Sequence, residues 1–261
     1  MKPKKSLGQN FLNNEDILNK IVDSGSINSD DTILEIGPGT GNLTKKILDK
    51  CPNNLIVVEK DKELSEILKK KFGKNIILIN RDILDCVNTF KFDAAIKVFG
   101  NLPYNVSTEI LTSFIKLKDL NKLYSKFIFV FQKEVADRII AKVNSKDYGR
   151  LSIIASWKMD TKKITDINPK YFYPKPKVWS SLITLTPKSY FCVLKKDKNL
   201  EHITYTFFNQ KRKMVRKPMK ILFKEFEEIA EKLNIDLNLR PQNITKEKYL
   251  ELCKIYESLA Q

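Results

Sequence analysis

The run Thr32-Ile33-Leu34-Glu35-Ile36-Gly37-Pro38-Gly39-Thr40-Gly41 limits the fold more than any other stretch of this chain. Its first five residues are mostly β-branched and apolar, the pattern of a short buried strand. They run directly into three glycines spaced G-x-G-x-G, then into a helical pattern with Leu43, Ile47 and Leu48 facing inward. Glycines at such a turn let the backbone approach a ligand closely. Strand, glycine turn and helix in that order begin a parallel strand–helix–strand unit. The spacing differs from the G-x-G-x-x-G of a dinucleotide site.

The alternation then repeats. Residues 55–58 read as a second strand ending in Glu59, residues 76–79 as a third ending near Asp82, and residues 92–98 as a fourth, bounded by Gly100 and leading to Asn101. An acidic residue some 20 positions beyond the glycines is placed to accept from both hydroxyls of a ribose. Asp82 is placed to accept from an adenine amine. The expectation is an α/β fold with a mostly parallel sheet, helices on both faces, and a nucleoside site at the carboxyl ends of four strands. Upstream, Asn13 or Asn14 caps a helix over residues 15–24, with Ile17, Leu18, Ile21 and Val22 on one face and Gly25 as its stop.

Asn101-Leu102-Pro103-Tyr104 follows the fourth strand. The Asn101 amide oxygen can only accept. Pro103 lacks an N–H and pushes Leu102 toward extended geometry, which leaves the Leu102 and Pro103 carbonyls as aimed acceptors. Tyr104 adds a flat ring. Such a set suits a planar exocyclic amine; the plainer reading is a turn made by Asn and Pro.

The middle of the chain reads as a strand over 127–131, a helix over 133–143, and strands over 151–157 and 178–185. Between the last two, Tyr171-Phe172-Tyr173-Pro174-Lys175-Pro176-Lys177-Val178 is a rigid, basic, aromatic stretch, either a stacking surface or a packed edge loop. A boundary at Thr186-Pro187-Lys188 separates a domain over 1–187 from one over 188–261. The second shows only helical periods, over 200–209, 214–233 (its order uncertain around Pro218) and 246–259. Lys211, Arg212, Lys213, Arg216, Lys217 and Lys220 concentrate charge there, as a phosphate-contacting patch or a solvated face.

The formal net charge of +16, from 47 Lys+Arg against 31 Asp+Glu, points to a polyanionic partner, RNA or DNA; a Lys-rich genome is the alternative. Cys51, Cys86, Cys192 and Cys253 form no C-x-x-C pair, and His202 is the one histidine, so no metal site is expected and the thiols read as free in a reducing compartment. No apolar run approaches the roughly 20 residues of a membrane span. Met1-Lys2-Pro3-Lys4-Lys5 is basic without an apolar signal core behind it, so a cytoplasmic location is expected.

Glu35-x-Gly37-x-Gly39-x-Gly41 resembles the cofactor loop of class I S-adenosylmethionine methyltransferases, and Asn101 to Tyr104 the motif of those acting on adenine N6. Gly8-Gln9-Asn10-Phe11-Leu12, Gly100 to Thr108, Gln132 to Arg138, Tyr148 to Ser152, Phe172 to Val178, Phe208 to Lys213 and Arg240 to Thr245 are similar to segments of the KsgA-type small-subunit rRNA adenine dimethyltransferases. Lys211 stands where that family more often has Arg. The resemblance implies that Asn10, Leu12, Gly37, Glu59, Asp82 and Asn101 hold S-adenosylmethionine, with Glu59 on the ribose, Asp82 on the adenine amine and Asn101 bridging cofactor and target. It implies catalysis by Asn101, Leu102, Pro103 and Tyr104, with Tyr104 and Phe172 sandwiching the target, and RNA contact by Lys211, Arg212, Lys213 and Arg216. The expected substrate is two adjacent adenines in the 3′-terminal hairpin of small-subunit rRNA, methylated twice each at N6 on a maturing subunit, by a monomer without metal. Two alternatives remain at this stage: a large-subunit rRNA methyltransferase of the antibiotic-resistance type, and a non-catalytic assembly or transcription factor on the same fold.

Overall fold

A computed structural model describes residues 3–4 and 7–259. Of the basic start, only Pro3 and Lys4 fall within it; Met1, Lys2, Lys5, Ser6, Ala260 and Gln261 lie outside the described residues. The elements in order are β1 (Phe11–Leu12), α1 (Glu15–Gly25), β2 (Thr32–Ile36), α2 (Asn42–Leu48), β3 (Asn54–Val58), α3 (Lys62–Phe72), β4 (Ile77–Ile79), α4 (Ile83–Cys86), β5 (Ile96–Asn101), α5 (Ser107–Ile115), α6 (Leu120–Leu123), β6 (Tyr124–Gln132), α7 (Lys133–Ile140), α8 (Arg150–Lys158), β7 (Met159–Ile167), β8 (Phe172–Tyr173), β9 (Ser180–Pro187), α9 (Asp197–Phe208), α10 (Arg216–Leu222), α11 (Phe226–Lys232) and α12 (Lys246–Leu259).

Seven strands form one sheet in the order β4-β3-β2-β5-β6-β9-β7. The first five are parallel, and β9 joins β6 antiparallel. From β2 the chain steps outward through β3 and β4, then returns to place β5 on the other side of β2. Connections leave β2 and β5 in opposite directions, which opens a crevice at their carboxyl ends. Ile33, Val57, Val98, Phe99, Phe127, Phe129 and Val130 are fully buried in this sheet. A separate ladder pairs Phe11 with Tyr173 and Leu12 with Phe172.

Several boundaries differ from the sequence reading. Gly25 belongs to α1, and Ser26 takes the left-handed cap at φ 50°. Glycine is needed at 25 for packing: a Cβ there would sit 2.2 Å from Phe99 Cζ. The fourth strand begins at Ile96, because Phe92 leaves the sheet to stack on Phe90 and meet Tyr124 edge-on. Asn101 is therefore the last residue of β5. Residues 151–157 are helix, not strand. Ile153, Ile154, Ala155 and Trp157 are all buried, so the run is apolar all round and hides its helical period. The Ser152 hydroxyl accepts from Gly149 N at 3.1 Å and donates to the Arg138 carbonyl at 2.6 Å, which fixes the helix start. Residues 214–233 form two helices. Pro218 lies in the first turn of α10, where its missing N–H removes no helix bond.

Residues 1–136 and 160–187 form one compact unit; residues 137–159 and 188–261 form the other. The second unit thus includes α8, upstream of the boundary read at residue 187. Within it Phe207, Phe208 and Tyr148 surround Tyr249 and its neighbours. Glu257 accepts from the backbone N–H groups of Lys195 and Lys196 at 2.9 Å, beside the start of α9.

Candidate active site

The strand ends β2, β3, β4 and β5 open into one cleft of the first unit. Asn10, Leu12, Gly37, Glu59, Asp82 and Asn101 all line it, as do Leu102 and Pro103. The glycine loop forms one wall. Gly39 has φ +59°, and a Cβ there would lie 2.7 Å from the Phe11 ring, so any larger residue would be both strained and crowded.

Glu59 is buried, and its two oxygens are already ordered. Oε2 accepts from Gly39 N at 3.2 Å and Oε1 from Asp61 N at 2.8 Å. Burial pushes its pKa up, against the pull of those backbone donors. A carboxylate offers about four lone-pair positions, more than the Gly39 and Asp61 donors occupy. Asp82 caps α4 through Leu84 N at 3.0 Å and pairs with Lys60 at 2.7 Å. Burial would raise its pKa, but Lys60 and the Leu84 N–H outweigh it and the carboxyl is held below its ordinary value.

An N-terminal strap crosses the same cleft. The Lys4 ammonium reaches Asp61 at 3.0 Å and Glu63 at 3.1 Å. Gln9 Nε2 donates to Asp61 at 3.0 Å, and Asn42 Nδ2 donates to the Leu12 carbonyl at 2.9 Å. Asn101 Nδ2 donates to the Asn10 carbonyl at 2.7 Å, so the amide orientation follows and Oδ1 is the end turned away from the strap. Sequence reasoning gave no role to Asp61 or Gln9. Asp61 has a local signal, as the capping residue of α3; Gln9 has none, because its partner lies 52 residues away.

Glu35 opens the glycine motif, and nothing in the sequence assigns it a role of its own. It is buried, lines the cleft, and its Oε2 has no hydrogen-bond partner. Burial pushes its pKa to about 8. The Thr44 hydroxyl, close by but outside hydrogen-bonding geometry, eases this only partly, and the Glu59 charge adds to it.

In the Asn101 loop the Pro103 carbonyl accepts from Val106 N at 3.2 Å. It is thus part of the turn into α5, contrary to its reading as a free acceptor, and Leu102 carries the carbonyl that this turn leaves alone. The Tyr104 hydroxyl shares a 2.5 Å hydrogen bond with the fully buried Ser180 hydroxyl, which fixes the ring. Phe172 is not brought to the open surface. It is 4% exposed and packs in the core with Leu12, Leu18 and Leu182. The ladder register explains this: Phe172 pairs with buried Leu12, and alternation turns Tyr173 outward instead.

In the second unit the four basic candidates differ. Lys211 Nζ donates to the carbonyls of Lys146 at 2.6 Å and Tyr148 at 2.9 Å. Arg216 pairs with Glu227 at 2.9 Å. Arg212 and Lys213 are exposed. Among the described residues, no three His, Cys, Asp or Glu side chains converge as a metal site, and no helix is long and apolar enough to cross a membrane.

A family model described as "Ribosomal RNA adenine dimethylase" matches residues 1–261. A protein of Pelagibacter ubique named "Ribosomal RNA small subunit methyltransferase A" is 52% identical over 259 residues, covering 99% of this chain and 98% of that one. One of the same name from a Wolbachia of Brugia malayi is 40% identical, covering 95% of each. Among solved structures, a dimethyladenosine transferase from Plasmodium falciparum superposes with a TM-score of 0.81 at 25% identity, covering 96% of this chain and 98% of that one. The 23S rRNA methyltransferase ErmE reaches 0.69 at 20% identity, covering 96% and 100%, and shares the fold.

Proposed function

Because this chain belongs to the ribosomal RNA adenine dimethylase family, we propose that the cleft holds S-adenosylmethionine beside an adenine of small-subunit rRNA. The protein is an rRNA adenine N6,N6-dimethyltransferase. The residues fit the cofactor on three counts. Glu59 has lone pairs beyond those its backbone donors take, for a ribose diol, the Gly39 turn admits no side chain, and the buried Glu35 oxygen lacks any partner until a cationic or hydrogen-bonding group arrives. Asp82 is the acceptor nearest in kind to the adenine amine, with Lys60 yielding one of its oxygens.

When bound, S-adenosylmethionine supplies a methyl group on a positively charged sulfur, already an excellent leaving group. Adenine N6 is a poor nucleophile because its lone pair is delocalised into the ring. The chain therefore contributes position more than acid or base. Asn101 Oδ1 and the Leu102 carbonyl accept the two N6 hydrogens, drawing the nitrogen toward tetrahedral geometry with its lone pair aimed at the methyl. As the nitrogen bonds to the methyl carbon the carbon–sulfur bond would break, releasing S-adenosylhomocysteine, and the nitrogen would give up one proton to solvent; a single hydrogen would then remain, held by one of the two acceptors, for the second transfer. The target base leaves its stack to reach them, and the ring of Tyr104, fixed by Ser180, offers it a face.

The reading extends to two adjacent adenines of the 3′-terminal hairpin, a pre-subunit particle as substrate, and a monomer acting in the cytoplasm. Arg212 and Lys213 are the phosphate contacts best supported in the second unit. The observation that carries the catalytic assignment is the 2.7 Å bond from Asn101 Nδ2 to Asn10, which sets the acceptor end of the amide. Mass spectrometry of small-subunit rRNA from cells with and without the protein tests it: dimethyladenosine should appear at adjacent positions only with the protein. Modification of large-subunit rRNA alone would refute it.

A further inference from the structure

The loop between β8 and β9 has an exposed face that the cleft does not use. Tyr173 is 58% exposed, Val178 45% and Trp179 47%, and Lys175 and Lys177 are exposed between them. From Ile167 to Pro187 the sequence holds no acidic residue. The acid just before, Asp166, is held by Lys163 at 2.6 Å, Ser181 at 2.6 Å and Lys133 at 3.3 Å. The segment is thus aromatic and cationic and carries no carboxylate of its own.

Its two ends are anchored to the site. Tyr173 pairs across the short ladder with Phe11, which lines the cleft. Trp179 is held by its carbonyl, which accepts from Lys133 N at 2.8 Å, and is the chain neighbour of Ser180, the partner of Tyr104. One peptide unit, about 3.8 Å between Cα atoms, therefore separates Trp179 from the residue that fixes the target-facing ring. About half of the Trp179 side chain stays open to solvent there. Aromatic faces interleaved with lysines suit unpaired nucleotides, whose bases stack while their phosphates meet the cations.

Resting on the methyltransferase reading above, we propose that Tyr173 to Trp179 is a stacking rail for the single-stranded nucleotides flanking the target adenine, with Trp179 as the base platform and Lys175 and Lys177 as phosphate contacts. It is a binding surface distinct from the pocket for the extruded base.

The protein's two tryptophans make this measurable. Trp157 is buried with Nε1 donating to the Cys192 carbonyl at 2.7 Å, so Trp179 is the one open to quenchers. A ten-nucleotide single-stranded RNA with two adjacent adenines should protect the full-length protein's fluorescence from iodide. Trp179→Ala should raise KM for immature small subunits roughly 5- to 150-fold, with cofactor affinity unchanged. Trp179→Phe should recover most of the loss and Trp179→Lys should not. Unchanged iodide access with the RNA bound, a KM within twofold for Trp179→Ala, or rescue by Lys equal to that by Phe would each overturn the rail. Protection by whole particles but not by the RNA would also overturn it, because the contact would then not be with an unpaired strand. A wild-type chain that methylates no RNA counts against the proposed activity instead, and iodide protection still judges the rail.

Discussion

Replacing Glu59 separates ribose binding from loop order. Its carboxylate accepts two backbone N–H groups, from Gly39 and Asp61, and has further lone-pair capacity for the cofactor's hydroxyls. Hydrogen bonds to a charged partner contribute about 1.5–3 kcal/mol each, and water entering the vacated space recovers part of that. Glu59→Ala should therefore weaken S-adenosylmethionine binding by roughly 2–3 kcal/mol, about 30- to 150-fold in Kd. It also strips an acceptor from two N–H groups in a buried region, so a lower melting temperature is expected. Calorimetry with S-adenosylhomocysteine and its 2′-deoxy analogue resolves the two effects. If Glu59 holds the ribose, the mutational loss shrinks by at least about 1 kcal/mol for the deoxy ligand, as a coupling between contacting groups should. An equal loss for both ligands would refute the ribose assignment and make Glu59 a brace for the glycine loop.

Glu35 gives a pH dependence. Its folded pKa of about 8 lies above the ordinary 4.5, so between those values the folded chain keeps a proton the unfolded chain has lost, and stability falls as pH rises. Glu35→Gln should melt progressively higher than wild type from pH 5 to 8; a constant difference would sink this. Neutralising Arg212 and Lys213 should flatten the log–log salt dependence of subunit binding by about one to two units. Lys211→Ala should instead lower the melting temperature, because the Lys146 and Tyr148 carbonyls lose their donor; equal slope changes for both variants would contradict that division. Phe172→Ala should cost about 3–5 kcal/mol, a drop of roughly 6–20 °C by differential scanning fluorimetry. An unchanged melt with slow transfer would return Phe172 to the target sandwich.

The sheet was legible because buried parallel strands are continuous apolar runs closed by turn residues. β2 and β3 were read to within a residue for that reason, and β4, an edge strand with Ile77 exposed, from its short Ile-Leu-Ile run. α8 was not, because burial on every side erases the polar face that distinguishes a helix from a strand. Phe172 was misplaced for a related reason. The aromatic stretch Tyr171 to Tyr173 is locally symmetric, and the face each ring takes depends on a two-residue ladder with Leu12 and Phe11, far away in the chain.

At the site the sequence named the groups but not which of them were already engaged. Gly37, Glu59, Asp82 and Asn101 line one cleft because each sits at or just past a strand end of the sheet, a local property, whereas Asn10 and Leu12 reach it on the N-terminal strap. Engagement is a tertiary property, and its consequence has either sign. Lys211 loses its availability to a phosphate because its ammonium is bonded to two carbonyls. The Pro103 carbonyl is taken by the turn it helps to form. Asn101 goes the other way: an amide free to flip presents a donor or an acceptor at random, and an amine needs the acceptor. The Asn10 carbonyl takes the donor end, so the contact that removes one function of the side chain aims the other. The N-terminal strap thus shapes the cleft and orients the acceptor, a coupling no reading of residues 101–104 alone contains.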